Sequence, residues 1–313
     1  MRSERLARLA LWVGFALLVA APFIGLYPIF MMKALCYAIF AMAFNLLMGF
    51  TGLLSFGHAA YFGAAAYVTG WLVRSAGLTP ELGVLAGTAA AALLGLGIGL
   101  IAIRRQGIYF AMVTLAMAQM VYFVFLQAPF TGGEDGLQGV PRGHLFGLIS
   151  LQNDLVLYFV VLAVFVAVFL FVIRVVHSPY GQVLKAIREN EPRAISLGYD
   201  VDRYKLLAFV LSPALAGLAG SMKTMVLGFA TLNDAHWSLS GEVILMTLLG
   251  GLGTFAGPVL GAFTIIGLQN FLSDQVGSWI NVIIGVIFVV CVVAFRRGFV
   301  GELKAWQLRR MKS

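Results

Sequence analysis

Between Asp154 and Arg174 the chain runs through nineteen consecutive apolar residues, "LVLYFVVLAVFVAVFLFVI". About 20 such residues cross the hydrocarbon core of a bilayer as a helix. Lipid offers backbone N–H and C=O groups no partner, so a spanning run of this kind excludes loops and open sheets. Comparable runs recur at about 9 to 29, 32 to 49, 53 to 73, 82 to 103, 108 to 128 and 204 to 230, with a last one near 279 to 295. Only 11% of the residues are charged, against about 25% in a soluble domain. The expected class is an all-α, polytopic transmembrane helical bundle.

The first run follows a basic segment in "MRSERLARLALWVGFALLVAAPF", the layout of a secretion signal. Its apolar core exceeds the usual signal core of about 7 to 15 residues, and further spans follow, so an uncleaved first helix is expected. The net charge of +8 does not indicate nucleic acid, because the bases are spread through loops and form no soluble face. Cys36 and Cys291 lie inside apolar runs, where cysteine behaves as a small packed hydrophobe.

Lys and Arg near span ends favour the cytoplasmic side. With a cytoplasmic N-terminus, 17 of the 21 fall inside, leaving Lys33, Arg74, Arg142 and Lys223 towards the other face. The chain then leaves the span at 204 to 230 outside and must reach Arg296 and Arg297 inside. Residues 242 to 273, apolar and Gly-rich, either dip in and return or cross twice. The expectation is eight full spans plus a re-entrant pair, with ten spans as the alternative and both termini cytoplasmic. "GFTGLLSFGHAAYFGA" from Gly49 and "GGLGTFAGPVLGA" from Gly250 echo one another. Glycines interrupting corresponding apolar stretches point to repeats around a translocation path, expected to be inverted; close helix packing through small residues is the other reading, as in "GLGIGL" at 95 to 100.

No enzyme signature emerges, since no nucleophile-and-base pair or metal cluster is evident. "GLAGSMKT" from Gly217 approaches a phosphate-binding loop, but Met222 replaces the second glycine and the stretch lies in an apolar helix. His58, the one histidine in an expected span, lacks a nearby carboxylate and suits a hydrogen-bonded packing role over a proton relay. Asn45, Ser55, Thr114, Gln119, Thr254, Gln269 and Asn270 are polar groups at membrane depth that either line a path or bridge helices. We take Asn45, Ser55, His58, Thr114 and Thr254 as substrate-path candidates. The loop "TGGEDGLQGVPRG" from Thr131 is turn chemistry, either a solvated connection or a contact for an outer soluble partner through Glu134 and Asp135.

One polar island stands out: "KAIRENEPRAISLGYDVDRYK", Lys185 to Lys205, with nine charged residues in twenty-one. Ser178 and Pro179 mark a helix start. Asn190 or Glu191 caps a second short helix with Pro192 at its first position, Gly198 suits a left-handed stop, and Asp200 caps the next span. Connections in helical bundles normally take about 2 to 8 residues. This one runs far longer and builds its own helices, which implies a docking partner.

These residues resemble a known family. "ENEPRAISLGYDVDRYKLLAFVLSPALAGLAGSM" is similar to the cytoplasmic loop and following helix of permease subunits of the branched-chain amino-acid ABC importers. Glu191, Ala194 and Gly198 match the wider E-A-A, three-residue gap, Gly signature, while Pro192 and Arg193 stand where alanines are common. "NLLMGFTGLLSFGHAAYFGAAAY", "TGGEDGL" and "GGLGTFAGPVLGA" resemble the same family, across about residues 30 to 300, with length and loop content nearer its M-type subunit. The resemblance implies one permease domain over 1–313 in the bacterial inner membrane, with 175–203 as its coupling loop. It further implies a second, H-type permease, two cytoplasmic ATPase subunits that hold ATP and Mg, and a periplasmic substrate-binding protein. Glu191, Pro192, Arg193, Ala194 and Gly198 would then be the ATPase-coupling residues, and a small hydrophobic amino acid the cargo. An ion-coupled secondary transporter, or a passive channel for a small solute such as urea or an amide, remains the rival reading.

Overall fold

The computed structural model of the chain describes residues 13–25 and 27–276, with 282–283, 285–286, 289, 298–299 and 301 beyond them. Cys291 lies outside the described residues, as does most of the expected last span near 279 to 295. The apolar runs are helical: α1 (Val13–Ile24), α2 (Pro28–Thr51), α3 (His58–Ser75), α4 (Pro80–Ala102), α5 (Gly107–Gln127) and α6 (Asp154–His177). The island follows as α7 (Pro179–Glu189) and α8 (Glu191–Ser196). Then come α9 (Val201–Leu227), α10 (Trp237–Gly250) and α11 (Gly257–Val276). Five of these, α2, α4, α5, α6 and α9, are long and apolar enough to cross a membrane.

Two boundaries differ from the sequence expectation. The run at 53 to 73 becomes helical only at His58, because Gly52 turns left-handed (φ 81°) and ends α2. Hydropathy alone does not register that stop, since Leu53, Leu54 and Phe56 keep the run apolar. The first run, expected to reach 29, ends at Ile24, and Pro28 opens α2.

α2 is the axis of the bundle. Its most apolar window is 94% buried, against 28% for α4 and 39% for α6. The peripheral helices turn apolar side chains such as Leu85, Leu93, Leu100 and Phe123 outward, as a lipid-facing surface requires. α9 packs against α2, α3 and α4, and small residues bring these helices into contact. A Cβ at Gly99 would lie 2.8 Å from Phe209, and one at Gly95 2.6 Å from Pro213, which sits inside α9. This is small-residue packing of the kind favoured within membranes, and it accounts for two of the three glycines of "GLGIGL".

The Gly-rich region 242–273 is a hairpin of α10 and α11, with the break at 251–256. α10 runs parallel to α2, since Thr247 donates to the Ala41 carbonyl (3.5 Å) and Asn45 reaches Gly253 and Thr254. The break therefore lies at the same end of the bundle as the C-terminus of α2. Gly298 returns to that end, where an added Cβ would sit 2.6 Å from the Gly251 nitrogen. At the opposite end two short antiparallel pairs form. β1 (Leu137–Gln138) pairs with β4 (Phe229–Ala230), and β2 (His144–Leu145) with β3 (Ile149–Ser150).

Candidate functional site

The island is a folded element built by its own caps. The Ser178 hydroxyl accepts from Gly181 N–H (3.3 Å) ahead of Pro179, the first residue of α7. The Asn190 side chain accepts from Arg193 N–H (3.0 Å), which makes Asn190 the cap of α8, Glu191 its first residue and Pro192 its second. Gly198 takes φ 87° and donates to the Ile195 carbonyl (2.9 Å), closing α8, and Asp200 caps α9 through Arg203 N–H (3.4 Å). Each orphan N–H satisfied in this way is worth about 1 kcal/mol.

Among the coupling candidates, the structure separates an inward set from an outward one. Glu191 Oε1 accepts from Lys205 Nζ (2.6 Å) on α9 and from Gln106 Nε2 (3.2 Å) at the start of α5. Ala194 is buried in a small cluster with Ile187 and Val201. Pro192, Arg193 and Gly198 face outward. Beside them Ile195 and Leu197 are 57% and 67% exposed, apolar side chains on a helix outside the spans. Tyr180 stacks on Tyr204 (5.7 Å between centroids) and its hydroxyl donates to the Tyr204 carbonyl (3.0 Å). An open groove of about 720 Å³ runs between α7 and the first turns of α9, lined by Tyr180, Val183, Tyr199, Arg203 and Leu207 among others.

Sequence reasoning missed Arg188, whose Nη1 donates to the Gly49 carbonyl near the end of α2. The signal was present: Arg188 follows the apolar Leu184 by four residues, which brings its base beside the buried face of α7 although its side chain is largely exposed. Arg188, Glu191, Lys205 and Gln106 border a cavity of about 140 Å³ at that end of the bundle.

The path candidates fall into two groups inside the bundle. Asn45 and Thr254 meet directly: Asn45 Nδ2 donates to the Thr254 carbonyl and Asn45 Oδ1 accepts from Gly253 N–H, both at 2.9 Å. Ser55, His58 and Thr114 gather where α3 begins. Thr114 Oγ1 accepts from Phe56 N–H (3.2 Å) and Ser55 Oγ from Gly57 N–H (3.2 Å). His58 Nε2 lies 2.7 Å from Ser212 Oγ, and Ser212 Oγ donates to the Ala43 carbonyl (2.6 Å). Because that bond uses the serine proton, His58 Nε2 is the donor in the pair. Gln269 donates to Glu242 (3.3 Å), and Asn270 is exposed. All five path candidates thus carry hydrogen bonds within the protein: Asn45, Thr114 and His58 reach other segments, while the Ser55 and Thr254 hydroxyls bond locally.

Nearby, Ala59 N–H donates to Ser240 Oγ (2.9 Å). The first turns of α3 and α10 thus meet inside the bundle. Both helices follow non-α-helical chain, 52–57 and 228–236, arriving from opposite ends.

At the end away from the island, Lys223 and Arg142 are held in ion pairs. Lys223 Nζ lies 2.7 Å from Asp234 Oδ2, with side chains only 4% and 6% exposed. Asp234 Oδ2 also accepts from Thr231 N–H (2.8 Å) and Oγ1 (3.2 Å), and Lys223 stands 4.5 Å over the Phe229 ring. Arg142 pairs with Asp154 (2.5 Å) and donates to the Val226 carbonyl (3.0 Å). The segment resembling a phosphate loop is thereby accounted for. It lies within α9, Gly217 packs on Ala65 and Gly220 on the Phe62 backbone, and its lysine is bound to Asp234. Glu134 and Asp135 are exposed on the loop after α5.

A family model described as "Branched-chain amino acid transport system / permease component" matches residues 27–292. The high-affinity branched-chain amino acid transport system permease protein LivM of Escherichia coli is 29% identical over 266 residues, covering 76% of this chain and 61% of that protein. The chain thus spans less than two thirds of that relative's length. The corresponding LivH of Escherichia coli is 24% identical over 262 residues, 76% of this chain and 82% of LivH. The ribose import permease protein RbsC of Bacillus subtilis is 25% identical over 310 residues, covering 88% and 92%. No solved structure matches the chain.

Proposed function

The chain belongs to the family of branched-chain amino acid transport permease components, and from that premise we propose that it is the membrane-spanning subunit of an ATP-driven ABC importer. In this reading it carries small hydrophobic amino acids into the cytoplasm by alternating access. It sits in the bacterial inner membrane with both termini cytoplasmic, as a single permease domain. It pairs with an H-type permease, two cytoplasmic ATPase subunits that hold ATP and Mg, and a periplasmic binding protein. The higher identity to LivM than to LivH supports the M-type seat.

The observation that carries the reading is the island: a capped helix, α8, joined by Glu191 to α9 through Lys205 and to α5 through Gln106. A loop that only connected two spans would have no use for such joints. Ile195, Leu197 and the outward residues Pro192, Arg193 and Gly198 form the face that an ATPase would grip. A nucleotide-driven displacement there shifts the permease only through contacts that differ between two states, and the inward set supplies such contacts.

Ten spans suit this topology better than eight and a re-entrant pair. The α10–α11 break lies beside the end of α2, and Gly298 lies at the same end, which fits a chain that leaves that end after the break and comes back to it. The inverted repeat is carried by α3 and α10, which follow irregular segments from opposite ends and meet at Ala59 and Ser240. The glycine echo relates units that run the same way.

Reconstitution decides the function. Proteoliposomes holding the chain with its second permease, the ATPases and the binding protein should take up labelled leucine when ATP is present with the ATPases. Leucine uptake by the lone chain, following an ion gradient or merely its own concentration, would overturn the importer and favour the secondary transporter or channel. A panel including urea and ribose sets the cargo class.

A further inference from the structure

Two glycines of the echoing segments, Gly52 and Gly253, lie against the Arg188 side chain, and a third, Gly49, lies against Asn45 and the Gly253 backbone. A Cβ at Gly52 would lie 3.1 Å from Arg188 Cγ, and one at Gly253 3.2 Å from Arg188 Nη1. A Cβ at Gly49 would press within 2.8 Å of the Gly253 nitrogen. The guanidinium thus occupies the narrow space where the end of α2 meets the α10–α11 break. Any larger residue at these positions would push the helix ends apart or displace the arginine.

The carbonyl it binds needs a partner. At the end of α2 the N–H groups of Gly52 and Leu53 both turn to the Leu47 carbonyl, so Gly49 receives no bond from Leu53. Helix C-terminal carbonyls of this kind favour a cationic donor. One turn earlier on α2, Asn45 clamps Gly253 and Thr254 through two bonds of 2.9 Å. Phe255 completes the joint by stacking on Phe50 (5.5 Å) and His177 (5.3 Å).

We propose that Arg188 is a positioning residue that ties the island to the α10–α11 break, so that displacement of α7 moves the last turn of α2 and opens or closes that break. The inference rests on the importer reading and adds a second strut to it. Glu191 connects the island to α9 and α5, and Arg188 connects it to α2 and the hairpin. The first carries motion to the lever helix and the second to the interrupted one.

The test uses the complete reconstituted complex, with ATP hydrolysis and leucine uptake measured in the same vesicles. Loss of a charged hydrogen bond worth about 1.5–3 kcal/mol leads us to expect R188A to lower leucine taken up per ATP hydrolysed by about tenfold or more. R188K keeps the cation and one donor direction and should recover most of the ratio. G253A crowds Arg188 Nη1 and the Gly49 carbonyl, each 3.2 Å from the added Cβ, and should reproduce the R188A ratio. A purely structural arginine would lower both activities together and leave the ratio at the wild-type value, and that result would overturn the proposal. If R188A does not assemble, R188Q is read by the same ratio, and an unchanged value there is equally decisive. Absence of ATP-driven uptake in the wild-type complex would instead defeat the importer reading.

Discussion

α9 carries a buried lysine near each end, and the two are held differently. Lys223 meets Asp234 with both side chains almost fully enclosed, two further bonds from Thr231 on the same carboxylate oxygen, and an aromatic face beneath the ammonium. Lys205 meets Glu191 with the lysine 5% and the glutamate 24% exposed, beside a cavity and with Gln106 on the same oxygen. The first is a closed knot and the second an open one. A pair enclosed on all sides, with three donors on one carboxylate oxygen, has little room to move, whereas a pair bordering a cavity has somewhere to go. On the importer reading, one end of the helix anchors and the other transmits.

That contrast is most sharply broken at Lys223. K223M leaves the Asp234 carboxylate buried without its cation, a change costing about 3–5 kcal/mol. The expected result is poor recovery of folded protein and a lowered unfolding temperature in detergent, while the protein that does assemble keeps its uptake per ATP. K205M should cost less, about 1–3 kcal/mol, because Glu191 retains Gln106 and some water. Its signature is the reverse, near-normal recovery with a fallen uptake-to-ATP ratio. Equal losses of recovery for the two variants would erase the distinction.

At the outward stop of α8, G198V forces a β-branched residue to φ 87°, a strain of about 1–2 kcal/mol. Membrane insertion should be intact and uptake abolished; normal ATP-driven uptake would remove Gly198 from the coupling element. The smallest effect is expected from R203A. Its partner Asp200 is half exposed and Arg203 itself 86% exposed, so the loss should stay below about 0.5 kcal/mol, with uptake unaltered.

Much of this architecture was legible because lipid imposes a crude code. Runs of apolar residues became helices within a few positions, and the caps at Ser178, Asn190 and Asp200 fell where short-range chemistry places them. What escaped was long-range. Asn45 and Thr254 were each marked as polar at membrane depth, yet nothing local says that they bond to one another across 209 positions. Ser212, which completes the His58 bond, reads as one more small residue in an apolar helix. Lys223 was assigned to the outer side by charge counting, which is blind to an aspartate eleven residues later that folds back over it. The late start of α3 was hidden for a related reason, because hydropathy measures whether chain is oily and ignores whether it is helical.

Pro213 lies midway between the two lysines. It has no N–H to give the Phe209 carbonyl, so the hydrogen-bonded ladder of α9 lacks a rung where Gly95 of α4 presses on the proline ring. A rod with a missing rung bends there before it bends anywhere else. A tilt of the half that holds Lys205 against the half that holds Lys223 would bend the helix at this point, beside Ser212, which is hydrogen-bonded to His58 and Ala43. On the importer reading, a stroke delivered at the island would then become a rotation about the middle of the bundle, one half-helix swinging against the other.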